Sequence, residues 1–371
     1  MSSLPTLIVF TGGLGQGVAE GMVSAAHRAI TLDLIGRAQS TGAFARVVAA
    51  TDRGPLIEEL PASVAVESTH GPFHFGHRLR EIIHKYHIEK PFYIGGGAAP
   101  LFAAPELDGA ARELARARDT VIANNYFSSD MVAFDPGRAI EDIEPPPQDN
   151  ALARLLAEAG LEPTRLPRSA ATQFDVDTPT DLMVLGLHPT TGPWTSACIQ
   201  ALDLDTSRLE GAMKLLADRE AQVLVAGRVG SYVWSRLEAE TSCRIRLLSE
   251  ERGLRADGRE EAGEGYSILG FYLQEVGSAR FFQTLARLGD AAFIDSRVIF
   301  HHLRLKLTQE DRFLSDLGWT ERIENQSLRE FTEEARKAPI PVVMGGHSLM
   351  AGGLLALLDT MQPVDSPGAG R

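Results

Sequence analysis

Two aspartates one residue apart, Asp175 and Asp177, are the side chains whose type and spacing best suit chemistry in this sequence. They lie in the stretch QFDVDTPTDL at 173–182. Read as a short strand running into a helix, that stretch puts Phe174 and Val176 on one face and both aspartates on the other. Thr178 then reads as the helix N-cap, Pro179 as the first helical residue and Asp181 as the capping-box partner. Asp181 is therefore expected to organise the cap. Asp175 and Asp177 are expected to hold a divalent cation against phosphate oxygens, because two carboxylates leaving a strand where it meets a helix start suit such an ion.

Other stretches supply candidate binding residues. An apolar run at 7–10 leads straight into Thr11, Gly12, Gly13 and Gly15, a glycine-rich turn whose backbone N–H groups can face phosphate. Its spacing fits neither the dinucleotide fingerprint nor a Walker loop. A second apolar run ends in three glycines, of which Gly96 and Gly97 leave room for a ligand at the carboxyl end of a strand. A run at 120–125 delivers Asn124 and Asn125, followed by Ser129 and Asp130. This cluster suits recognition of a base, sugar or acceptor and equally suits a tight turn. Arg168 and Ser169, just upstream of the aspartate stretch, are placed to reach an anionic ligand.

The second half has its own candidates. Three strand exits present Gly227 and Arg228, then Asp295 and Arg297, then Gly346, His347 and Ser348. In a parallel sheet these converge on one edge, so Arg228, Asp295, Arg297, His347 and Ser348 form an expected second ligand site. A Ser–His–Asp hydrolase reading of Ser348, His347 and Asp295 is poor, since adjacent Ser and His do not readily face each other and no G-x-S-x-G elbow occurs. Five of the ten histidines (His70, His74, His77, His84 and His87) crowd one short stretch. They read as a solvated helix face rather than as metal ligands.

The elements that must position these residues follow from periodicity. Val23, Ala26, Ile30 and Leu34 give a helix over 18–40 one buried face, and strands alternate with helices thereafter. Alternation of this kind means an α/β fold, a Rossmann-like and mostly parallel sheet. The run PTTGP at 189–193 reads as a boundary, with one domain over 1–189 and a second α/β domain with a parallel sheet over 194–371.

The chain of 371 residues, 44% apolar and 23% charged, is long enough for two ordinary cores. A net charge of −13 argues against nucleic-acid and anionic-membrane partners, leaving small molecules. Two cysteines make neither a zinc framework nor a disulfide scaffold. No signal-peptide pattern and no spanning apolar run is present, so the cytoplasm is expected.

The order of pieces resembles the nucleotidyltransferase branch of the GT-A fold. The likeness is to molybdenum-cofactor guanylyltransferases and phospholactate guanylyltransferases, over residues 4–189. It rests on the glycine-rich loop after the first strand, the GGxxxPL exit loop at 95–101 and DVDTPTDL at 175–182. The resemblance implies transfer of a nucleoside monophosphate from an NTP, GTP or CTP, to a small phosphorylated acceptor, with Mg2+ and release of pyrophosphate. It makes Gly12, Gly13 and Gly15 triphosphate contacts and Asp177, with Asp175, the metal ligands. Two departures stand out: Gln16, Val18 and Glu20 replace the family's loop Arg and Lys, and Ala98 and Ala99 replace an Asp before Pro100. A non-catalytic nucleotide- or phosphosugar-binding protein and a sugar-nucleotide-dependent glycosyltransferase therefore stay open. The second half resembles no family; it would bind the acceptor, regulate, or form a homodimer.

Overall fold

The computed structural model describes residues 3–68, 72–253 and 264–361. The first half runs β1 (Thr6–Phe10), α1 (Val18–Thr41), β2 (Arg46–Ala50), α2 (Gly54–Glu59), β3 (Ala65–Glu67), α3 (Phe75–Tyr86) and β4 (Pro91–Gly95). It continues through α4 (Ala104–Arg116), β5 (Thr120–Ala123), β6 (Met131–Asp135), α5 (Leu152–Glu158), β7 (Glu162–Arg165), α6 (Ala170–Gln173) and α7 (Pro179–Leu187). Its strands form one sheet in the order β3-β2-β1-β4-β6-β5-β7, with β6 antiparallel to both neighbours. Strands such as TLIVF and RVVAA carry almost no polar residue because helices cover both faces. From β1 the chain winds outward to β3, then returns to the other side of β1 at β4. The crevice between the carboxyl ends of β1 and β4 is the switch point where such sheets bind ligands.

The second half comprises α8 (Pro193–Leu202), α9 (Ser207–Leu216), β8 (Gln222–Gly227), α10 (Ser231–Glu240), β9 (Arg244–Ser249) and α11 (Ile268–Leu288). Then come β10 (Ala291–Asp295), α12 (Ser296–His302), α13 (Gln309–Leu317), α14 (Gln326–Lys337), β11 (Val342–Gly345) and α15 (Leu354–Met361). Its strands pair in parallel in the order β11-β10-β8-β9. The winding reverses between β8 and β10, which creates a second switch point.

One hydrophobic core runs through both sheets, taking in Leu7 and Ile94, Leu182 of α7, Phe293 of β10 and Leu354 of α15. A second cluster, around Ile8, Val48, Leu79 and Phe134, fills the other face of the first sheet. The halves are joined by polar ties as well. The Thr180 hydroxyl donates to the Met344 carbonyl at 2.6 Å, and Asp33 of α1 accepts from the backbone nitrogens of Trp194 and Thr195 at 3.1 and 2.9 Å, capping α8.

Two elements differ from their sequence patterns. The stretch around Asp175 forms a single antiparallel bridge to Ala98 rather than a strand, and α6 immediately precedes it. Strand β7 hides in the polar run EPTR, which pairs only along one side at the sheet edge, where Pro163 is tolerated. The crowded histidines behave as a solvated face. Helix α3 buries Phe75, Leu79, Ile82 and Ile83, His74 caps the backbone nitrogen of His77 at 3.4 Å, and His84 pairs with Glu141 at 2.7 Å. His70 lies outside the described residues.

Candidate active site at the carboxyl edge of the first sheet

Backbone ties between three segments build this edge. Gly96 donates to the Phe10 carbonyl at 2.8 Å across the β1–β4 crevice. Val176 donates to Gly97 at 2.9 Å, and Ala99 donates to Phe174 at 3.2 Å. Burial holds the His27 imidazole below its ordinary pKa, so the neutral ring donates through Nε2 to the Val176 carbonyl at 2.6 Å. Gly96 and Gly97 are needed for this approach: a Cβ on Gly96 would sit 2.4 Å from Thr11 Oγ1, and one on Gly97 would sit 2.6 Å from His27 Nε2. Both glycines therefore serve close packing that presses the aspartate stretch against the β4 exit loop. Phe174 and Val176 are buried and Asp177 faces solvent, as the alternation requires.

Four carboxylates gather at this rim: Asp175, Asp177, Asp130 and Asp149. Burial, followed by the charges of Asp149 and Asp177, raises Asp130 well above the usual carboxylate range. Burial and the charges of Asp177, Asp130 and Asp181 do the same to Asp175. Asp149, which sequence reasoning missed, is also raised, chiefly by burial; the Tyr93 hydroxyl donates to it at 2.7 Å. A lone Asp after a triple proline carries no local signal, and only the fold brings it here. The neighbouring charges acting on Asp130 and Asp175 are all negative.

The other polar candidates spend their side chains on the loop itself. Asn124 accepts from the backbone nitrogens of Asp130 and Met131, both at 3.2 Å, and donates to Thr172 at 3.1 Å. Asn125 accepts from Phe127 at 3.0 Å, and buried Ser129 donates to the Asp149 carbonyl at 2.9 Å. Among the described residues, no three His, Cys, Asp or Glu side chains converge tightly enough to cage a metal ion. The donor chemistry nevertheless fits Mg2+, which takes one or two carboxylates and fills its octahedron with water and phosphate oxygens.

The glycine-rich loop is occupied by the protein's own side chains. Gly17 donates to Glu20 at 2.9 Å, and Ala19 and Glu20 donate to Glu310 of α13 at 3.1 and 2.9 Å. A Cβ on Gly15 would lie 2.0 Å from the Glu20 carboxylate, and one on Gly17 would lie 2.1 Å from that of Glu310. Gly13 makes room for Arg53, whose Nη2 reaches the Leu14 carbonyl at 3.4 Å; around Gly12 the space is open. Arg53 is the cation that the loop's own sequence lacks, supplied from the turn after neighbouring β2. Arg28, by contrast, pairs with Glu59 at 3.4 Å.

Beneath the rim, fully buried Asp181 does more than cap α7. Its Oδ2 accepts from the backbone nitrogens of Asp177 and Thr178, from the Thr178 hydroxyl, and from Ser348 of the second half at 2.7 Å. Its Oδ1 is buried with no hydrogen-bond partner, and burial pushes its pKa up to about 7.

The expected second site divides. Arg228 and Asp295 form a two-pronged pair at 2.7 and 3.2 Å at the carboxyl ends of β8 and β10. His347 lies near them, its buried Nδ1 without a partner and its pKa pushed down to about 4 by burial and by Arg228. Arg297 turns inward to pair with buried Asp316, and Ser348 is spent on Asp181, so the serine has no route to a catalytic triad. Arg168 joins the Arg228 group, its guanidinium 5.9 Å over the Tyr232 ring, while the Ser169 backbone nitrogen is bonded by Thr172 in the short turn of α6.

No family model matches the chain, and no curated protein is similar to it. Among solved structures it is similar to a cytidylyltransferase from Leptospira borgpetersenii, at 13% identity and a TM-score of 0.40, over 54% of this chain and 94% of that one. It is similar to CMP:2-keto-3-deoxy-manno-octonic acid synthetase in complex with CTP, at 16% identity and 0.34, over 49% and 95%. A third is 4-diphosphocytidyl-2C-methyl-D-erythritol synthase, at 12% identity and 0.36, over 50% and 98%. These structures are described by cytidylyl rather than guanylyl chemistry, and none of the likenesses assigns a reaction or a residue role to this chain.

Proposed function

We propose that the carboxyl edge of the first sheet binds a nucleoside triphosphate with Mg2+ and transfers its nucleoside monophosphate to a small phosphorylated acceptor. The observation carrying this reading is the rim of Asp130, Asp149, Asp175 and Asp177 at the sheet's switch point. There, burial and mutual repulsion hold Asp130 and Asp175 above their ordinary pKa, and the charges acting on them are all negative. Such a group gains when a divalent cation enters. Asp175 and Asp177 would hold the ion, with Asp130 close by, and the ion would neutralise charge on the transferring phosphate.

The chain's own residues do the rest. An acceptor phosphate oxygen bonds to the α-phosphorus as the bond from that phosphorus to the pyrophosphate oxygen breaks. Pyrophosphate carries off the electron pair, and no side chain need take a proton. Arg53, lying on Gly13 and Leu14, is the positive charge nearest the loop and would stabilise the leaving pyrophosphate. His27 and the Gly96–Gly97 crossing fix Val176, and with it the two aspartates on either side.

One observation favours a second reading, a nucleotide-binding protein without transfer. The first N–H groups of α1, where a phosphate would sit, are already bonded to Glu20 and Glu310. The test is incubation with each NTP, Mg2+ and phosphorylated acceptors, following pyrophosphate release and thermal shift. Release lost in Asp177→Ala supports transfer; a thermal shift with no release in wild type supports binding alone. The absence of both with every nucleotide removes the nucleotide reading.

A further inference from the structure

We propose that the switch point of the second sheet is a separate anion site, built for a phosphate monoester and contributed to by both halves of the chain. Three arginines from three segments meet there. Arg228 follows β8 and is fixed by its pair with Asp295, which uses that residue's charge. Arg252 follows β9 and lies flat on the β8–α10 turn, its Nη1 2.6 Å from the point where a Gly230 side chain would begin. Arg168 comes from the first half, anchored by the Tyr232 hydroxyl on its carbonyl at 2.7 Å and by the Tyr232 ring under its guanidinium.

Hydrogen bonds tie the turn after β8 to the end of β9. Val229 and Glu250 both donate to the Gly227 carbonyl at 2.8 Å, and Ser249 donates to Val229 at 3.0 Å. Gly227 has φ +148, and a side chain there would run into Asp295 Cβ at 2.3 Å, so β8 and β10 approach closely beneath the site. The first turn of α10 has no side-chain cap, and its N-cap is the same Gly230 on which Arg252 rests. Arg252 and Arg168 therefore both lie against the first turn of α10, at Gly230 and Tyr232.

Charge decides the ligand class. Asp295 balances Arg228, whereas no described carboxylate is hydrogen-bonded or ion-paired to the guanidinium of Arg168 or Arg252. Burial and the charges of Arg168 and Arg228 all depress the Arg252 pKa, as expected where positive groups are held together. Among the described residues, two guanidiniums without a carboxylate partner beside a third are matched by a dianion. His347 adds a neutral ring whose Nδ1 is unpartnered and close to the same arginines.

The site lies on a different sheet from the Asp177 rim, so its failure would leave the proposed transfer untouched. The experiment is calorimetric titration of the full chain at low salt with inorganic phosphate and with glycerol phosphate. Wild type, Arg252→Gln, Arg168→Gln and Asp177→Ala would be compared. Both arginines sit at the surface, and glutamine keeps the Arg168 carbonyl that Tyr232 holds. Saturable binding should weaken about tenfold in each arginine variant, the size expected for one charged hydrogen bond, and persist in Asp177→Ala. No saturable binding in wild type overturns the proposal, as do arginine variants that bind like wild type. Binding abolished by Asp177→Ala instead would move the anion to the first sheet.

Discussion

Glu310 Oε2 accepts from the backbone nitrogen of Glu20 at 2.9 Å, so the start of α1 is capped by a carboxylate from the other half of the chain. That carboxylate stands where a phosphate would bind a helix N-terminus, and it complements the helix dipole. Glu310→Ala should cost about 1 kcal/mol of stability, the usual worth of an N-terminal cap, read from urea melts. If triphosphates compete with Glu310 for these N–H groups, the same variant should bind a fluorescent nucleotide more tightly. Lower stability with unchanged affinity would make the contact purely structural.

Arg53 lies against the glycine loop, where a Gly13 side chain would overlap its guanidinium. Arg53→Gln should weaken triphosphate binding about tenfold, the scale of one charge-assisted hydrogen bond. Thermal stability should barely change, because the guanidinium's one described hydrogen bond is long, at 3.4 Å. Nucleotide titration alongside a thermal melt checks both halves of this statement.

The seam between the halves tolerates no added atoms at Gly352. A Cβ there would lie 2.1 Å from Phe174 Cα and 2.3 Å from both Phe174 N and Gln173 O, all of them backbone. Gly352→Ala should therefore destabilise by more than about 3 kcal/mol or prevent folding. Gly21→Ala, within α1 and with nothing inside 4 Å of its Cβ, should instead stabilise by roughly 0.5–1 kcal/mol. Circular-dichroism melts of the pair would separate close packing from ordinary glycine replacement.

Stability should depend on pH through the buried aspartates. Asp181 is pushed from 3.8 to about 7, first by burial and then by the charge of Asp177, against the bonds from Ser348 and Thr178. A raised folded-state pKa means its contribution is full below 3.8 and is lost as pH rises through about 7. That span is worth up to about 4 kcal/mol. Asp130, Asp149 and Asp175 shift in the same direction. The aspartates therefore pull the melting temperature down from pH 5 to pH 8, while the lowered pKa values of His27 and His347 raise it up to about pH 6.5. Asp181→Asn should remove its share of the fall, and a variant whose pH profile runs parallel to wild type would contradict the account.

The regular elements were legible where periodicity was strong. The helix expected over 18–40 is α1, and every long apolar strand falls on its pattern. Strand β7 was not legible, because an edge strand of Glu, Pro, Thr and Arg has no buried face to leave a period. At the rim, Asp175 and Asp177 announced themselves by alternation. Asp149 and Arg53 could not, since each sits in a turn and acquires neighbours only when distant strands align. The loop glycines suggest a phosphate cradle, and glycine marks close approach of any kind. Here the approaching groups at Gly13, Gly15 and Gly17 are Arg53, Glu20 and Glu310.

Helix α1 both receives a carboxylate and lends one: Glu310 closes its start, and its own Asp33 closes the start of α8. A gene split within codons 189–193 would thus yield two polypeptides, each with one bare helix end whose cap is encoded on the other. Such fragments would have reason to find each other, and little reason to be inherited apart.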